Sequence, residues 1–327
     1  MAFSDPTLHA STVEASTVVV TGGCGFIGSH LVGRLAAAGR PVRVLDDLSN
    51  GDRSRLPAGV EFRLGDVSDP EFVRDGLAGA AVVFHLAAVA SVAESNKHWL
   101  ASHATNSGGS VAVMEAVRDA APDAGFVYAS SAAVYGNIPL EPGERIGETA
   151  ATQPLGPYGV DKLNVEMHAR VAGPLFGLRS FGLRFFNVFG PGQAPDSPYS
   201  GVISRFVAQA RAGGPITIFG DGEQTRDFVH VDDVVAALLL AERFTSDTAP
   251  VVNICAGRPA SVMELATGIA GKFSPAPAIV HTEARLGDIK RSLGDPSMAH
   301  RLLGWEPRVT LDEGLAALVA AEVAGAR

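Results

Sequence analysis

Short apolar runs alternate with longer segments of helical periodicity along the first half of the chain. The short runs are rich in β-branched and aliphatic residues, which is typical of buried strands. These predicted strands cover residues 16–21, 41–45, 60–64, 81–86 and 125–129. Helices are predicted over residues 29–38 and from about 100 to 120. Strands that alternate with helices predict an α/β fold with a Rossmann-like, doubly wound parallel sheet.

The pattern changes beyond a further predicted strand at residues 178–185. Pro, Gly and Ser become frequent from Asn187 to Gly201, and we place the start of a second, smaller α/β lobe here. Within that lobe, strands are predicted at residues 216–219 and 227–230. A helix at residues 232–241 is expected to return to the first domain.

The predicted organisation has three parts. They are a flexible tail (1–15), a first domain (16–186, with the return of about 225–250) and a C-terminal lobe (187–327, mainly 187–224 and 251–327).

Composition excludes several classes of protein. Hydrophobic residues make up 46% of the chain, so global disorder is not expected. The net charge of -9 argues against a nucleic-acid partner, since such a partner requires a basic face. No apolar run approaches the roughly 18 residues of a membrane span, and residues 1–15 carry no secretory signal.

The two cysteines, Cys24 and Cys255, are too few for a disulfide framework or a four-cysteine zinc site. Two reduced thiols are typical of the cytoplasm, which is the predicted location. No metal site is predicted.

A glycine-rich turn follows the first predicted strand and precedes the first predicted helix. Gly22, Gly25 and Gly28 are spaced three apart, with Phe26 and Ile27 between the last two. Glycine permits a tight turn and a close approach of the backbone to a pyrophosphate, and the helix amino end then offers N–H groups to phosphate. This context predicts a dinucleotide site.

An acidic residue ends the second predicted strand. Asp46 lies 24 residues after Gly22, where a carboxylate accepts hydrogen bonds from adenosine ribose hydroxyls and repels a 2′-phosphate. NAD is therefore predicted rather than NADP, with a simple turn carboxylate as the alternative. Further cofactor contacts are assigned to Asn50, Asp66, Val67, Leu86, Ala87, Ala88 and Asn106. For Asp66, a contact to the adenine edge and a loop-capping role stay equally open.

Tyr158 and Lys162 are four residues apart, which on a helix places both side chains on one face. An ammonium beside a phenol favours the phenolate, so this pair is a candidate general base. Ser131 is expected at the carboxyl end of a strand, where ligands of parallel sheets bind. Its hydroxyl is placed to share a proton with a substrate oxygen and with Tyr158.

Together these stretches resemble the extended short-chain dehydrogenase/reductase superfamily, and within it the nucleotide-sugar 4-epimerases of the UDP-glucose/UDP-galactose type. The resemblance covers about residues 16–316. Its motifs are Thr21 to His30 (TGGCGFIGSH), Asp46 to Asn50 (DDLSN), His85 to Ala88 (HLAA), Ser130 to Gly136 (SSAAVYG), Tyr158 with Lys162, Arg184 to Asn187 (RFFN) and Arg226 to Asp233 (RDFVHVDD).

The resemblance implies a role for each matching residue. Tyr158 is the base, Lys162 holds the nicotinamide ribose and lowers the tyrosine pKa, and Ser131 binds the reacting hydroxyl. The UDP-sugar substrate is bound by Asn187, Arg226, Arg285 and Asp288, the first three on the diphosphate and the last on the uridine ribose. The implied reaction is 4-epimerisation through a 4-keto sugar with bound NAD. A homodimer through two helices of the first domain is also implied.

A small residue after the Arg285–Asp288 segment is expected to admit an N-acetyl group on the sugar. An ungapped match places Ser292 at this gate. The hypothesis is that UDP-N-acetylglucosamine and UDP-N-acetylgalactosamine are substrates, with UDP-glucose and UDP-galactose alongside them.

Three other functions stay open. An NDP-sugar dehydratase of the same superfamily carries Thr-Asp-Glu where this chain has Ser131-Ala132-Ala133, and alanine is neither acid nor base. A UDP-uronic acid 4-epimerase is expected to place an arginine where this chain has Gly192-Gln193-Ala194. A non-catalytic NAD-binding regulatory protein shares the fold but has no need of Ser131, Tyr158 and Lys162.

Overall fold

The structure is a computed structural model, and it describes residues 17–193, 201–284 and 289–324. The strands are β1 (Thr17–Thr21), β2 (Val42–Asp46), β3 (Glu61–Leu64), β4 (Ala80–His85), β5 (Gly125–Ser131), β6 (Ser180–Phe185), β7 (Asn187–Phe189), β8 (Ile216–Phe219), β9 (Thr225–His230), β10 (Val251–Ile254), β11 (Pro259–Ser261) and β12 (Ile279–Thr282).

The α-helices are α1 (Phe26–Ala37), α2 (Pro70–Leu77), α3 (Val92–Lys97), α4 (Trp99–His103), α5 (Ser110–Ala120), α6 (Pro157–Phe176), α7 (Val202–Arg211), α8 (Val231–Ala241), α9 (Val262–Ala270), α10 (Ser297–Leu303) and α11 (Leu311–Ala324). Short 3₁₀ turns lie at Arg53–Arg55, Ala132–Tyr135 and Glu242–Phe244, and a π-helical segment lies at Ala104–Gly109.

Seven parallel strands form the large sheet, in the order β10-β6-β5-β4-β1-β2-β3. Residues of α1 and α8 bury one face of this sheet, and residues of α2, α5 and α6 bury the other. The predicted Rossmann-like α/β fold is therefore confirmed. The strand order reverses between β1 and β4, and ligands of such sheets bind outside the carboxyl ends of the strands at this point.

A smaller lobe contains a three-stranded sheet, β11-β9-β7, and a two-stranded sheet, β12-β8. Residues from α7, α9 and α11 form its core with residues from these strands. One part of the predicted boundary differs from the structure, because β10 pairs in parallel with β6 in the large sheet. Val252 and Ile254 are buried there, so this strand belongs to the first domain and not to the lobe.

Several predicted elements differ from the structure at their ends or in their continuity. Helix α1 begins at Phe26, three residues earlier than predicted, because Gly25 adopts the extended backbone of a helix cap. The long helix predicted from about 100 to 120 is instead α4, a π-helical segment and α5. Helix α2 was not predicted, although Asp69 caps its first N–H groups and Pro70 occupies its first position.

Within the parts of the chain that the structure describes, none of the helices combines the length and the apolar character needed to cross a bilayer.

Candidate active site

The glycine-rich turn joins β1 to α1 at the switch point of the large sheet. Gly22 has φ +70, and a Cβ built on it lies 2.6 Å from the backbone nitrogen of Ala87, so no larger residue fits without a shift of that backbone. Gly25 caps α1 without a side-chain hydrogen bond, and the first turn of this helix contains no acidic residue. The amino end of α1 is therefore suited to an anion.

Asp46, the last residue of β2, is buried beside this turn. Its carboxylate accepts hydrogen bonds from the backbone N–H groups of Cys24, at 2.9 Å, and Leu48, at 2.8 Å. Burial raises the pKa of Asp46, and these two hydrogen bonds oppose the rise. They hold the carboxylate at the wall of a cavity, in the place expected for a partner of ribose hydroxyls.

Two adjoining cavities, of about 380 Å³ and about 430 Å³, follow the carboxyl ends of the strands. The first is lined by the predicted cofactor residues Gly22, Gly25, Asp46, Asn50, Asp66, Val67, Leu86, Ala87 and Ala88. The second is lined by Gly22, Gly25, Phe26, Ile27, Gly28, Asn50, Leu86, Ala88, Ser131, Tyr158, Lys162 and Asn187. Shared wall residues make the two cavities one crevice, which runs from the acidic end of β2 to α6.

Ser131, Tyr158 and Lys162 meet in the second cavity. Tyr158 and Lys162 lie on α6, with the Lys162 Nζ 5.9 Å from the centroid of the phenol ring. Nζ also donates a hydrogen bond to the Ala129 carbonyl at 3.0 Å, which anchors the ammonium to β5. The Ser131 hydroxyl, at the end of β5, lines the same cavity near the phenol of Tyr158, and it accepts a hydrogen bond from the backbone N–H of Ala133 at 3.1 Å. The three residues predicted to act together thus lie in one cavity, on two adjacent elements.

The electrostatics of the trio differ in one respect from the expectation. Burial raises the pKa of Tyr158, and the nearby Ser131 hydroxyl opposes this rise, so the net direction is opposite to the lowering expected from Lys162. Burial also lowers the pKa of Lys162 to about 8, while the charge of Asp161 opposes that change. Desolvation is the largest cause of both shifts, because it disfavours the charged form of each group.

Asn106 lies behind the cavity wall and not on it. Its Oδ1 accepts a hydrogen bond from the backbone N–H of Val89 at 2.7 Å, and its Nδ2 donates one to the Val89 carbonyl at 3.2 Å. Val89 itself lines the first cavity. Asn106 therefore shapes the loop after β4, and the direct cofactor contact assigned to it is not supported by this geometry.

The residues predicted to bind the sugar nucleotide are only partly brought together. Asn187 lines the second cavity, whereas Arg226 and Ser292 do not line either cavity. Arg226 donates a hydrogen bond to the Ile289 carbonyl at 2.6 Å, and the backbone N–H of Ser292 donates one to the Thr225 carbonyl at 3.2 Å. Both residues lie near the amino end of β9. Arg285 and Asp288 lie outside the described residues.

Asp227 was not singled out by the sequence. This fully buried carboxylate accepts hydrogen bonds from the backbone N–H groups of Ala256, Gly257 and Gly294, at 2.6, 2.9 and 3.2 Å. Burial raises the pKa of Asp227 to about 6, and the three hydrogen bonds oppose the rise. Asp227 fastens the chain after β10 and the chain after Ser292 to β9.

A buried polar network behind the trio was also not identified by the sequence analysis. Arg184 on β6 donates to both carboxylate oxygens of Glu166, from Nε at 2.8 Å and from Nη2 at 2.6 Å. Its Nη1 donates to the Tyr135 hydroxyl at 2.7 Å. The Ser130 hydroxyl donates to the same Glu166 carboxylate. Glu166 lies one turn after Lys162 on α6, so the network fastens the end of β5 to this helix. That spacing of four from Lys162 was the available sequence signal.

The crevice fits a dinucleotide. Glycines hold the backbone close at the switch point, the amino end of α1 faces the cavity, and the Asp46 carboxylate lies at one end. At the other end, a phenol, a hydroxyl and an ammonium are within reach of a common reacting group. This combination defines a nicotinamide-dependent enzyme of the short-chain dehydrogenase/reductase class.

Comparison with known proteins agrees with this class. Residues 18–255 match the model of the NAD dependent epimerase/dehydratase family, so the chain belongs to that family and NAD is its cofactor. The UDP-glucose 4-epimerase of Mycolicibacterium smegmatis is 36% identical over 316 residues, which cover 92% of this chain and 96% of that protein.

Two solved structures are similar over nearly their whole length. The UDP-glucose 4-epimerase of Thermotoga maritima, determined with UDP-glucose, has a TM-score of 0.88 and 35% identity, covering 95% of this chain and 100% of that one. A UDP-N-acetylglucosamine 4-epimerase from Methanobrevibacter ruminantium, in complex with UDP-N-acetylmuramic acid, has a TM-score of 0.88 and 32% identity, covering 95% and 99%.

Proposed function

We propose that this protein is a UDP-sugar 4-epimerase that interconverts UDP-N-acetylglucosamine with UDP-N-acetylgalactosamine, and UDP-glucose with UDP-galactose. The observation that carries the proposal is the Ser131–Tyr158–Lys162 trio at one end of the dinucleotide crevice. Whole-length similarity to epimerases of UDP-glucose and of UDP-N-acetylglucosamine supports the same reaction class.

Each member of the trio has a distinct task in this reaction. Bound NAD supplies the hydride acceptor and donor for the sugar carbon. Tyr158 removes the proton of the sugar 4-hydroxyl and later returns a proton to the 4-keto sugar once its other face is presented. Ser131 hydrogen-bonds the same sugar oxygen, and Lys162 keeps a positive charge near the phenolate form of Tyr158, which is the form that accepts the proton. Tyr158 regains its starting protonation state, as a redox-neutral epimerisation requires.

The residues after Ser131 favour epimerisation over dehydration. Elimination of water from the sugar needs a further acid and base beside the trio. Ala132 and Ala133 occupy the 3₁₀ turn that follows β5, and their methyl groups transfer no protons. The chain therefore has the groups for proton transfer at one hydroxyl, but not for elimination at these two positions.

The experiment that tests the proposal follows the sugar directly. The protein is purified without added NAD and incubated with UDP-N-acetylglucosamine or with UDP-glucose, and the products are identified by proton NMR. We expect the 4-epimer from both sugars, with activity before any NAD is added. Absence of an epimer from either sugar, with NAD supplied, contradicts the proposal.

We further propose that Ser292 sets the space available to the sugar 2-substituent. Ser292→Tyr is expected to lower kcat/KM for UDP-N-acetylglucosamine at least about tenfold, and to change that for UDP-glucose less than about twofold, because only the acetamido group needs the space. Ser292→Ala is the matched control and is expected to retain both activities. Equal losses for the two sugars in Ser292→Tyr contradict the gate.

An exposed apolar surface supports the proposal of a homodimer. Trp99 and Leu100 on α4 are 65% and 82% exposed, and α6 packs beside this helix. Along α6, the exposed residues Val160, Met167 and Val171 recur at intervals of seven and four and so share one face. Exposed apolar residues clustered on two neighbouring helices are typical of an interface between subunits.

Charge introduced at this surface is expected to separate the subunits. Leu100→Glu/Val171→Glu buries two carboxylates in the proposed interface, which weakens association about 100-fold or more. Sedimentation velocity is expected to show a dimer for the unaltered protein and a monomer for this variant. Val323→Glu, at an exposed apolar position on α11, is the control and is expected to stay dimeric. A monomeric unaltered protein refutes the proposal.

We also infer a cytoplasmic location. Both Cys24 and Cys255 are buried and free, as expected of thiols kept reduced. Fractionation of cells that express the protein tests this inference, and recovery outside the cytoplasmic fraction contradicts it.

A further inference from the structure

The loop that follows β2 is fastened to the glycine-rich turn. The backbone N–H of Asp52 donates a hydrogen bond to the Cys24 carbonyl at 3.0 Å. Gly51 packs so closely that a Cβ built on it lies 2.6 Å from the Cys24 Cβ. The Asp52 carboxylate then caps the following 3₁₀ turn by accepting from the backbone N–H of Ser54 at 2.8 Å. These contacts hold the 3₁₀ turn against the amino end of α1.

This turn carries two arginines with different surroundings. Arg55 lines the second cavity together with Phe26 and Ile27, the first two residues of α1. Arg53 lines neither cavity, and its guanidinium lies over the ring of Phe62, 4.7 Å from the centroid. Of the two, only Arg55 has access to a ligand at the amino end of α1.

The carboxylates on the cavity wall indicate that a bound diphosphate needs a positively charged partner, and Arg55 is a candidate for it. The described wall of the first cavity contains four carboxylates, those of Asp46, Asp47, Asp66 and Glu94. A diphosphate that enters beside them is repelled, so its binding needs compensating positive charge. On the described walls of both cavities, the lysine and arginine side chains are Lys162 and Arg55. Lys162 is anchored at the catalytic end by the Ala129 carbonyl.

We propose that Arg55 binds the diphosphate of NAD. The guanidinium contacts the diphosphate from the solvent side, and the glycine-rich turn contacts it from the opposite side. A guanidinium pairs with phosphate oxygens through two parallel N–H groups, which complements the backbone N–H groups of α1. Because Arg55 is exposed, its side chain is accessible from solvent and closes over the cofactor after it enters. The inference rests on NAD as the cofactor and is independent of which sugar is epimerised.

The test measures cofactor binding and not only turnover. NAD is removed from the purified protein, and its affinity is measured by titration calorimetry at about 50 mM and about 500 mM salt. Arg55→Ala is expected to lower the affinity for NAD about tenfold at low salt, and less at high salt, because loss of one charge-assisted contact has roughly this effect. Arg55→Lys keeps the charge but not the paired geometry. Its affinity for NAD is expected to lie between that of the unaltered protein and that of Arg55→Ala.

Arg53→Ala is the matched control, because it removes an equal charge from the same turn without touching the cavity. We expect its NAD affinity to stay within about twofold of the unaltered protein. Equal losses in Arg53→Ala and Arg55→Ala overturn the proposal, since they indicate a general charge effect. Titration of the NAD-loaded variants with UDP distinguishes a second source of diphosphate. A loss of UDP affinity with NAD affinity retained assigns Arg55 to the sugar nucleotide and also overturns the proposal.

Discussion

Replacement of Tyr158 by phenylalanine is expected to lower kcat about 10²- to 10⁴-fold, the usual contribution of a positioned general base. The substitution removes the one oxygen that exchanges a proton with the sugar hydroxyl. The aromatic ring stays beside the Lys162 ammonium. Binding of UDP and of NAD is expected to change little, because neither depends on the phenol proton. The measurement is kcat by NMR, with NAD content determined on the same sample.

Tyr128 provides a matched control for this prediction. It lies on β5, is fully buried, and its hydroxyl has no hydrogen-bond partner among the residues that the structure describes. Tyr128→Phe therefore removes an unsatisfied polar group and is expected to keep kcat within about twofold and to unfold no more easily. A Tyr158→Phe variant that retains more than about a tenth of the activity shows that another group takes the proton.

That Ser131, Tyr158 and Lys162 lie together was predictable, because their geometry follows from local rules. A spacing of four residues puts Tyr158 and Lys162 on one face of any helix. A serine at the end of a parallel strand lies at the edge of the sheet where ligands bind. The same edge receives the glycine-rich turn and Asp46, so the crevice follows from the strand order. Each of these inferences uses a short stretch of sequence and one rule of chain geometry.

The supporting contacts were not predictable because they join residues far apart in the chain. Tyr135 donates a hydrogen bond to the Asn253 Oδ1 at 2.7 Å, across 118 residues. Asp227 accepts hydrogen bonds from backbone N–H groups of two separate loops. Every residue type except proline has this group, so the sequence does not indicate which residues donate. Strand β10 has only four residues, and its apolar sequence fits the large sheet as well as the smaller lobe. Only its pairing with β6 decides between them.

Arg184→Met is expected to cost about 3–5 kcal/mol in the free energy of unfolding, the largest stability change that we predict. The substitution removes the guanidinium but leaves the Glu166 carboxylate buried, with only the Ser130 hydroxyl as a side-chain partner. An uncompensated charge in such a site is more costly than the loss of the hydrogen bonds themselves. Urea unfolding measures the change. Activity is expected to fall as well, because the network fastens Ser130 and hence Ser131 to α6.

A double variant separates the charge from the packing. Arg184→Met/Glu166→Leu removes both charges and leaves apolar groups of similar size, so it is expected to be more stable than Arg184→Met alone. Arg211 forms a comparable ion pair with Glu322 at 2.8 Å, but on the surface, where its side chain is 40% exposed. Arg211→Met is expected to cost less than about 1 kcal/mol, since water already screens that pair. If Arg184→Met lowers the free energy of unfolding no more than Arg211→Met does, the prediction is wrong. That result shows that the unpaired Glu166 carboxylate carries no burial penalty, because water reaches the network.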